Sequence, residues 1–338
     1  MGKNMLYEKW AMEWLDEKRK YVKVSTYANY QSIIVNHLIP EIGKCKINNI
    51  SNKMLQEMIF DKYLMGRIDN RGGLSDKTVR DIGMVLKLTL RDALKDGIID
   101  YMNLTFNYPK KENKKKIYIF DKKEQKKIIN YCMSNVNIKN MCILLTLYSG
   151  LRIGELCALK WKDIDFKKNI LSVNKTLQRV YFKIDKCSKL IITNPKTKNA
   201  NREIPINSDF AKLLKIFKTG DDNFVVSNSR KIIEPKIFRN YYYKMIKEVG
   251  INNIPFHSLR HTFASNCIRL GVDYKTVSEL LGHSSVNITL NIYVHPQMAE
   301  KKKCINLIYA ENNIIDTDNN DYLDDNKLFC DNEIIFVN

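Results

Sequence analysis

The sequence predicts a mainly α protein in two parts: an N-terminal helical bundle, then a mixed α/β region that is mostly helical with one small antiparallel sheet. Three observations predict it. Apolar residues recur at helical spacing from residue 5 to about residue 100. A Lys-rich stretch at 106–116, FNYPKKENKKK, interrupts that pattern with the composition of an exposed connector. Beyond it helical periodicity resumes and breaks once, between Asn169 and Ile206, into short β-branched runs separated by polar turns. The 338 residues suit two domains of about 100–200 residues each. We divide the chain into 1–105, a basic linker at 106–116, a second domain at 117–310 and an acidic tail at 311–338, read as mobile.

The elements follow in order. Trp10, Trp14, Leu15 and Lys18 mark a first amphipathic helix. Ser25 or Thr26 is placed to cap a second, carrying Tyr30, Ile33, Ile34 and Leu38 to a turn at Pro40. Ser51 caps a third with Met54, Leu55, Met58 and Ile59, and Ser75 caps a fourth that ends near Gly97. In the second part Asp121 caps a helix at Lys122–Cys132, and another runs from Asn137 to a stop at Ser149-Gly150. A short helix follows over Ile153–Leu159. Ile170–Val173, Val180–Phe182, Leu190–Ile192 and Glu203–Ile206 read as strands. Helices are then expected at about 208–218, 235–249, 257–270, 273–281, 286–293 and 298–309.

Composition narrows the function classes. Lys and Arg number 56 against 37 Asp and Glu, a formal charge of +19, although the tail beyond Glu311 is acidic. Such a surplus points to nucleic acid or an anionic membrane face as the large partner. No apolar run reaches the roughly 20 residues of a membrane span. The N-terminus is charged throughout and carries no signal-peptide core, so a cytoplasmic protein is expected. The eight cysteines form no C-x-x-C pair and read as reduced thiols.

Chemistry concentrates near the C-terminal end. Four of the five histidines, His257, His261, His283 and His295, cluster there. His257 and Arg260 lie at i, i+3 on one helix and share a face, with Leu259, Phe263, Cys267 and Leu270 expected to anchor the other side. Gly282 is placed to close the preceding helix and throw His283 outward, and Ser284 or Ser285 to cap a helix that carries Tyr293. His257 and His261 have a zinc-compatible i, i+4 spacing. The Glu that an H-E-x-x-H site needs is missing, however, and Arg260 would oppose a cation. Imidazoles with an arginine suit a phosphate instead. A second arginine, Arg152, stands in GLRIGEL, where Glu155 can hold its guanidinium. A lysine, Lys196, sits in a segment read as a hairpin tip, with Lys198 as the adjacent competitor.

Taken in order, Arg152, Lys196, His257-x-x-Arg260, His283 and Tyr293 make the second part resemble the tyrosine recombinase (phage integrase) family, in particular the integrase of a mobile element. HSLRHTFAS and LGHSSVNITLNIYVH are close to that family's pattern. The helical part resembles the family's SAM-like core-binding domain, including Tyr27, Tyr30 and the HLIPEIG turn at 37–43. The resemblance implies a site-specific recombinase that cuts and rejoins DNA through a 3′-phosphotyrosyl intermediate, integrating or excising its element. It makes Tyr293 the nucleophile, Arg152 and Arg260 phosphate clamps, His257 and His283 hydrogen-bond donors, Lys196 the general acid, and Glu155 a support.

No cofactor and no metal are implied. The expected partners are double-stranded DNA at paired sites, a homotetramer on them, and optionally a host DNA-bending or excision factor; the expected location is the nucleoid of a bacterium or phage-infected host. No separate arm-binding domain is recognisable before residue 5. Type IB topoisomerase-like relaxation and a non-catalytic DNA-binding regulator are the competing functions.

Overall fold

The computed structural model describes residues 4–67, 72–100, 104–109, 117–194, 198–252 and 254–293, with 302, 305, 306 and 308, and only the backbone at 198 and 291–293. Residues 1–292 form one compact unit and 293–338 a second. The acidic tail and residues 110–116 of the linker lie outside the described residues, as does most of the helix expected at 298–309.

The first core is helical. α1 (Tyr7–Lys18), α2 (Val24–Ile33), α3 (Ile39–Ile42), α4 (Asn52–Met65) and α5 (Asp76–Lys95) enclose Trp10, Trp14, Leu38, Ile59, Leu86 and Leu90. A buried indole N–H needs an acceptor, and α5 supplies them. Trp10 Nε1 donates to the Thr89 carbonyl at 2.9 Å and Trp14 Nε1 to Asp92 Oδ2 at 2.7 Å, while the Tyr7 hydroxyl pairs with Thr89 Oγ1 at 2.9 Å. Ser51 and Ser75 cap α4 and α5, accepting from Met54 N and Thr78 N.

The second helix departs from expectation. It starts behind Lys23, which offers no side-chain cap, so Ser25 and Thr26 fall inside its first turn. The HLIPEIG segment is not a turn. Residues 34–38 continue as a π-helical stretch into α3, with Pro40 in the first turn of α3. Proline has no N–H and its ring clashes with the carbonyl four residues back; the wider stretch ahead of it accommodates both, so the chain stays helical through Pro40.

The second core is built by α6 (Lys122–Ser134), α7 (Ile138–Ser149) and α8 (Ile153–Ala158), then by strands and five later helices: α9 (Ser208–Lys215), α10 (Pro235–Glu248), α11 (His257–Arg269), α12 (Tyr274–Leu281) and α13 (Val286–Tyr293). α6 begins in a capping box between Asp121 and Glu124. α7 is capped by Asn137, is apolar on nearly every face, and is buried from Asn140 to Leu147. Around it pack Trp161, Leu171, Val225, Phe238, Tyr242 and Leu259. Phe120 N donates to Thr262 Oγ1 at 2.9 Å, tying the entry of this core to α11.

The strands form two sheets rather than one. β1 (Ile164–Asp165), β2 (Ile170–Val173) and β5 (Arg202–Pro205) make a three-stranded antiparallel sheet with β2 central. β3 (Thr176–Phe182) and β4 (Cys187–Thr193) form a separate hairpin in which Thr176 pairs with Thr193 and Phe182 with Cys187. The hairpin is thus an insertion between β2 and its partner β5, and Phe182 at its far end packs against the first core. The strands that flank the lysine segment, β4 and β5, therefore pair in different sheets, and Lys196 itself lies outside the described residues.

The segment read as a connector starts as part of the first core. Phe106 is buried there, and Asn107 exchanges two main-chain hydrogen bonds with the Gln56 side chain, at 2.8 and 2.9 Å. The Arg80 guanidinium lies over the Tyr108 ring at 4.5 Å. Six of the cysteines are described and all are free thiols; Cys132, Cys142 and Cys157 are buried. Among the described residues no helix is long and apolar enough to cross a membrane.

Phe106→Ala should lower the unfolding free energy by about 3 kcal/mol, the lower end for a buried Phe truncation. Urea denaturation followed by tryptophan fluorescence measures it; a loss below about 0.5 kcal/mol, the scale of a surface substitution, would show that Phe106 is not part of this core.

Candidate active site

Two left-handed turns frame the site. The first is Gly150 at the end of α7, with φ +67°. A Cβ there would come within 2.6 Å of the Phe263 ring and 2.9 Å of Leu281, so α11 and α12 approach this backbone as only glycine permits. The second is Gly282, with φ +63°, closing α12. A Cβ there would meet Arg202 Nη1 and the Asn199 carbonyl, each at 3.0 Å.

Arg260 joins the two turns. It is 1 % exposed, and its Nη1 and Nη2 donate to the carbonyls of Gly150 and Leu281, both at 2.7 Å. The expected face-sharing with His257 is therefore only partial. Arg260 is sunk into the protein while His257, at the first turn of α11, stays exposed. The expected anchor Leu270 is likewise displaced: it is the C-cap of α11 and is 73 % exposed, because α11 ends before its side chain can return to the core.

Arg152 stands at the N-cap of α8, immediately after the Gly150 turn. Its Nη1 donates to Glu155 Oε1 at 2.7 Å, its main-chain N–H to Glu155 Oε2 at 2.9 Å, and its Nη2 to the Gly282 carbonyl at 3.3 Å. Glu155 is the support expected from sequence, but it serves a second guanidinium that the motif reading missed. Arg202, the first residue of β5, gives Nη1 to Oε1 at 3.1 Å and Nη2 to Oε2 at 2.9 Å. Burial alone would raise the Glu155 carboxyl; the Arg202 hydrogen bonds and the Arg202 and Arg152 charges outweigh it and hold it at about 2. Three arginines and one glutamate thus meet in one place, a net positive site.

His283 is not thrown outward. It is 9 % exposed, turned into the protein, with Nδ1 at 2.9 Å from Thr289 Oγ1 of α13. Ser285 caps α13, accepting from Asn287 N at 3.2 Å. The His257 and His261 rings meet edge to face with centroids 4.6 Å apart. Burial, then His261, Arg260 and Arg152, lowers His257 to about 4. The neighbouring positive charges act on His257 in the same direction as burial. Burial, then Arg260, Arg152, Arg202 and His257, lowers His283 to about 4. His261 is lowered to about 4 by burial and Arg260.

Arg152, His257, Arg260 and His283 are thus brought within electrostatic reach of one another. Lys196 lies outside the described residues, and of Lys198 only the backbone is described. Tyr293 is the last residue of α13, and its side chain lies outside the described residues. Arg202 carried no motif signal. Its one mark in the sequence is to be among twelve arginines where lysine dominates.

Residues 110–300 match the phage integrase family, and residues 6–63 match the N-terminal SAM-like domain of phage integrases. The chain is 30 % identical over 320 residues to a "tyrosine recombinase XerC-like" protein of Caldanaerobacter subterraneus subsp. tengcongensis, covering 86 % of this chain and 80 % of that one. It is 28 % identical over 295 residues to the ICEBs1 integrase of Bacillus subtilis, covering 83 % and 75 %. The fold is similar to that of the Tn1549 transposon integrase in complex with transposon right end DNA. That match has a TM-score of 0.72 and 21 % identity, covering 90 % of this chain and 100 % of that one.

The lowered histidines make stability pH-dependent. A folded value near 4 against the ordinary 6.5 means that the unfolded chain takes up these protons first. The folded state is at full advantage above about pH 6.5 and loses it as the pH falls toward 4. Glu155 is separable, because its contribution is present above its ordinary value of 4.5 and is lost as the pH falls through about 2. The urea midpoint should fall between pH 7 and pH 5, and His283→Gln should flatten that fall. An unchanged wild-type midpoint would contradict these positions.

Proposed function

This chain belongs to the phage integrase family as a tyrosine-type site-specific DNA recombinase, and from that premise we propose that it exchanges strands at the ends of a mobile element with Tyr293 as nucleophile. The convergence of Arg152, Arg260, His257 and His283 on the Gly150 and Gly282 turns carries the reading. Two guanidinium groups held by backbone carbonyls and a carboxylate, beside imidazoles kept neutral, suit a phosphodiester whose charge grows in the transition state.

In this reading the Tyr293 oxygen attacks the scissile phosphorus, and the P–O5′ bond breaks as the P–O(Tyr) bond forms. The tyrosine proton passes to His257, which is neutral at pH 7. The departing 5′ oxygen takes a proton from Lys196, with Lys198 as the alternative donor. The 5′-hydroxyl of a partner strand then reverses the step on the phosphotyrosine. One phosphodiester replaces another, so the exchange is close to energy-neutral and draws on no cofactor.

Arg152 contacts the phosphate directly in this scheme. A guanidinium has five N–H donors, and the Arg152 side chain is 37 % exposed while anchored to Glu155 and Gly282. Arg260 acts from beneath, where low dielectric strengthens its charge. His283, positioned by Thr289, adds a hydrogen bond to a non-bridging oxygen. Double-stranded DNA is the substrate, and the lysine-rich surface supplies its salt-sensitive attraction. We extend to this chain the tetramer in which lambda integrase is bound to a Holliday junction. The helical part, 1–105, and the catalytic part, 117–310, are read as grasping the duplex together through the linker between them.

A nicked duplex carrying the recombination site, recovered by sequencing DNA covalently captured on the protein, tests this. Wild type should form a protein–DNA adduct and Tyr293→Phe none. Lys196→Ala should slow adduct formation by about 10²–10⁴-fold, the usual scale of general acid help. An adduct formed by Tyr293→Phe would displace the nucleophile; no adduct from any form would favour a DNA-binding regulator.

A further inference from the structure

We infer that Arg202 is a positioning residue for strand cleavage: it sets the Arg152 guanidinium through Glu155 and braces the turn that presents His283. The inference rests on Arg152 acting as a phosphate clamp.

The Glu155 carboxylate shows how. Each of its oxygens takes one bond from Arg152 and one from Arg202: Oε1 from the two Nη1 atoms, Oε2 from the Arg152 main-chain N–H and Arg202 Nη2. A carboxylate has about four acceptor sites, so this one is saturated and its plane is set from both sides. Both Glu155 and Arg202 have side chains only 5 % exposed. Without Arg202, half of the restraints on the carboxylate disappear and its plane can rotate. Arg152 Nη1 is bonded to one of those oxygens, so it would rotate too.

Arg202 also reaches the second turn. Its Nε donates to the Leu280 carbonyl at 2.6 Å, at the end of α12. Its Nη1 lies 3.0 Å from where a Gly282 Cβ would stand, so the guanidinium is packed directly against the backbone that leads into His283. The same Nη1 donates to the Ala200 carbonyl at 3.3 Å. Ala200 belongs to a short 3₁₀ turn at Lys198–Ala200, where Asn199 Nδ2 donates to the His283 carbonyl at 3.4 Å. One buried side chain therefore links α8, the end of α12 and the segment just after Lys196.

Its chemistry is that of a brace rather than a clamp. Four of the five guanidinium N–H groups are engaged within the protein: Nε, both on Nη1 and one on Nη2. Little of it remains to meet a phosphate. A lysine could not substitute, because one ammonium cannot bridge both carboxylate oxygens and a carbonyl on a third element at once.

Arg202→Lys and Arg202→Met test this in single-turnover cleavage of the nicked duplex at saturating DNA, beside Arg152→Ala. Each variant is assayed on a normal scissile phosphate and on a methylphosphonate, which lacks the charge that Arg152 neutralises. On the normal phosphate, Arg202→Lys should cleave about 10²-fold more slowly, the scale expected of a small misplacement of a reacting group. DNA affinity should stay within about twofold. On the methylphosphonate the gap from wild type should close to within about threefold for both Arg202→Lys and Arg152→Ala.

An equal Arg202→Lys loss on both duplexes, or none on either, would overturn the inference, the first marking a merely structural role. A gap that stays wide for Arg152→Ala would instead sink the clamp reading. Should Arg202→Met fail to fold, Arg202→Lys assayed below its melting temperature still decides, with circular dichroism and DNA binding as the check on folding.

Discussion

The Glu155 carboxylate is the constraint on which the site depends. A buried carboxylate would ordinarily be driven toward its protonated form, yet here two guanidinium groups hold it ionised. Of the two pairs only Arg202–Glu155 is buried on both sides, and breaking a buried pair of that kind typically costs about 3–5 kcal/mol. The arrangement does more than stabilise. It turns Arg152, a long side chain with considerable rotamer freedom, into a group of defined direction.

The same logic extends to Arg260 through a different acceptor. Backbone carbonyls at the ends of α7 and α12 receive its N–H groups, so helix termini whose last carbonyls lack partners become the seat of a buried cation. The two left-handed glycines make this possible. Gly150 and Gly282 end their helices abruptly and let neighbouring side chains approach where a Cβ would collide. Burial, together with the local excess of positive charge that this anchoring leaves, holds the histidines well below their ordinary value.

Much of this was legible in the chain, and the reasons are local. Ser51, Ser75 and Asp121 cap helices as their positions predict, because a cap is decided within four residues. Gly150 and Gly282 announce their conformation by standing where apolar periodicity stops. What failed depended on distant partners. Strand residues at 170–173 and 202–205 do not reveal that they pair with each other across an inserted hairpin. Pro40 reads as a stop, and only the widened π stretch before it makes a continuous helix possible.

The candidate site divides along the same line. The sequence by itself determined the family, the order of the chemically distinctive residues and the pairing of Arg152 with Glu155, since these follow from residue type and short spacing. Tertiary structure decided that His283 turns inward, that Arg260 is buried while His257 stays exposed, and that Arg202 completes the Glu155 carboxylate from a strand 47 residues away. No spacing rule spans that distance. Burial and long-range hydrogen bonding are properties of the packed chain, and they determine which of twelve arginines lie at the site.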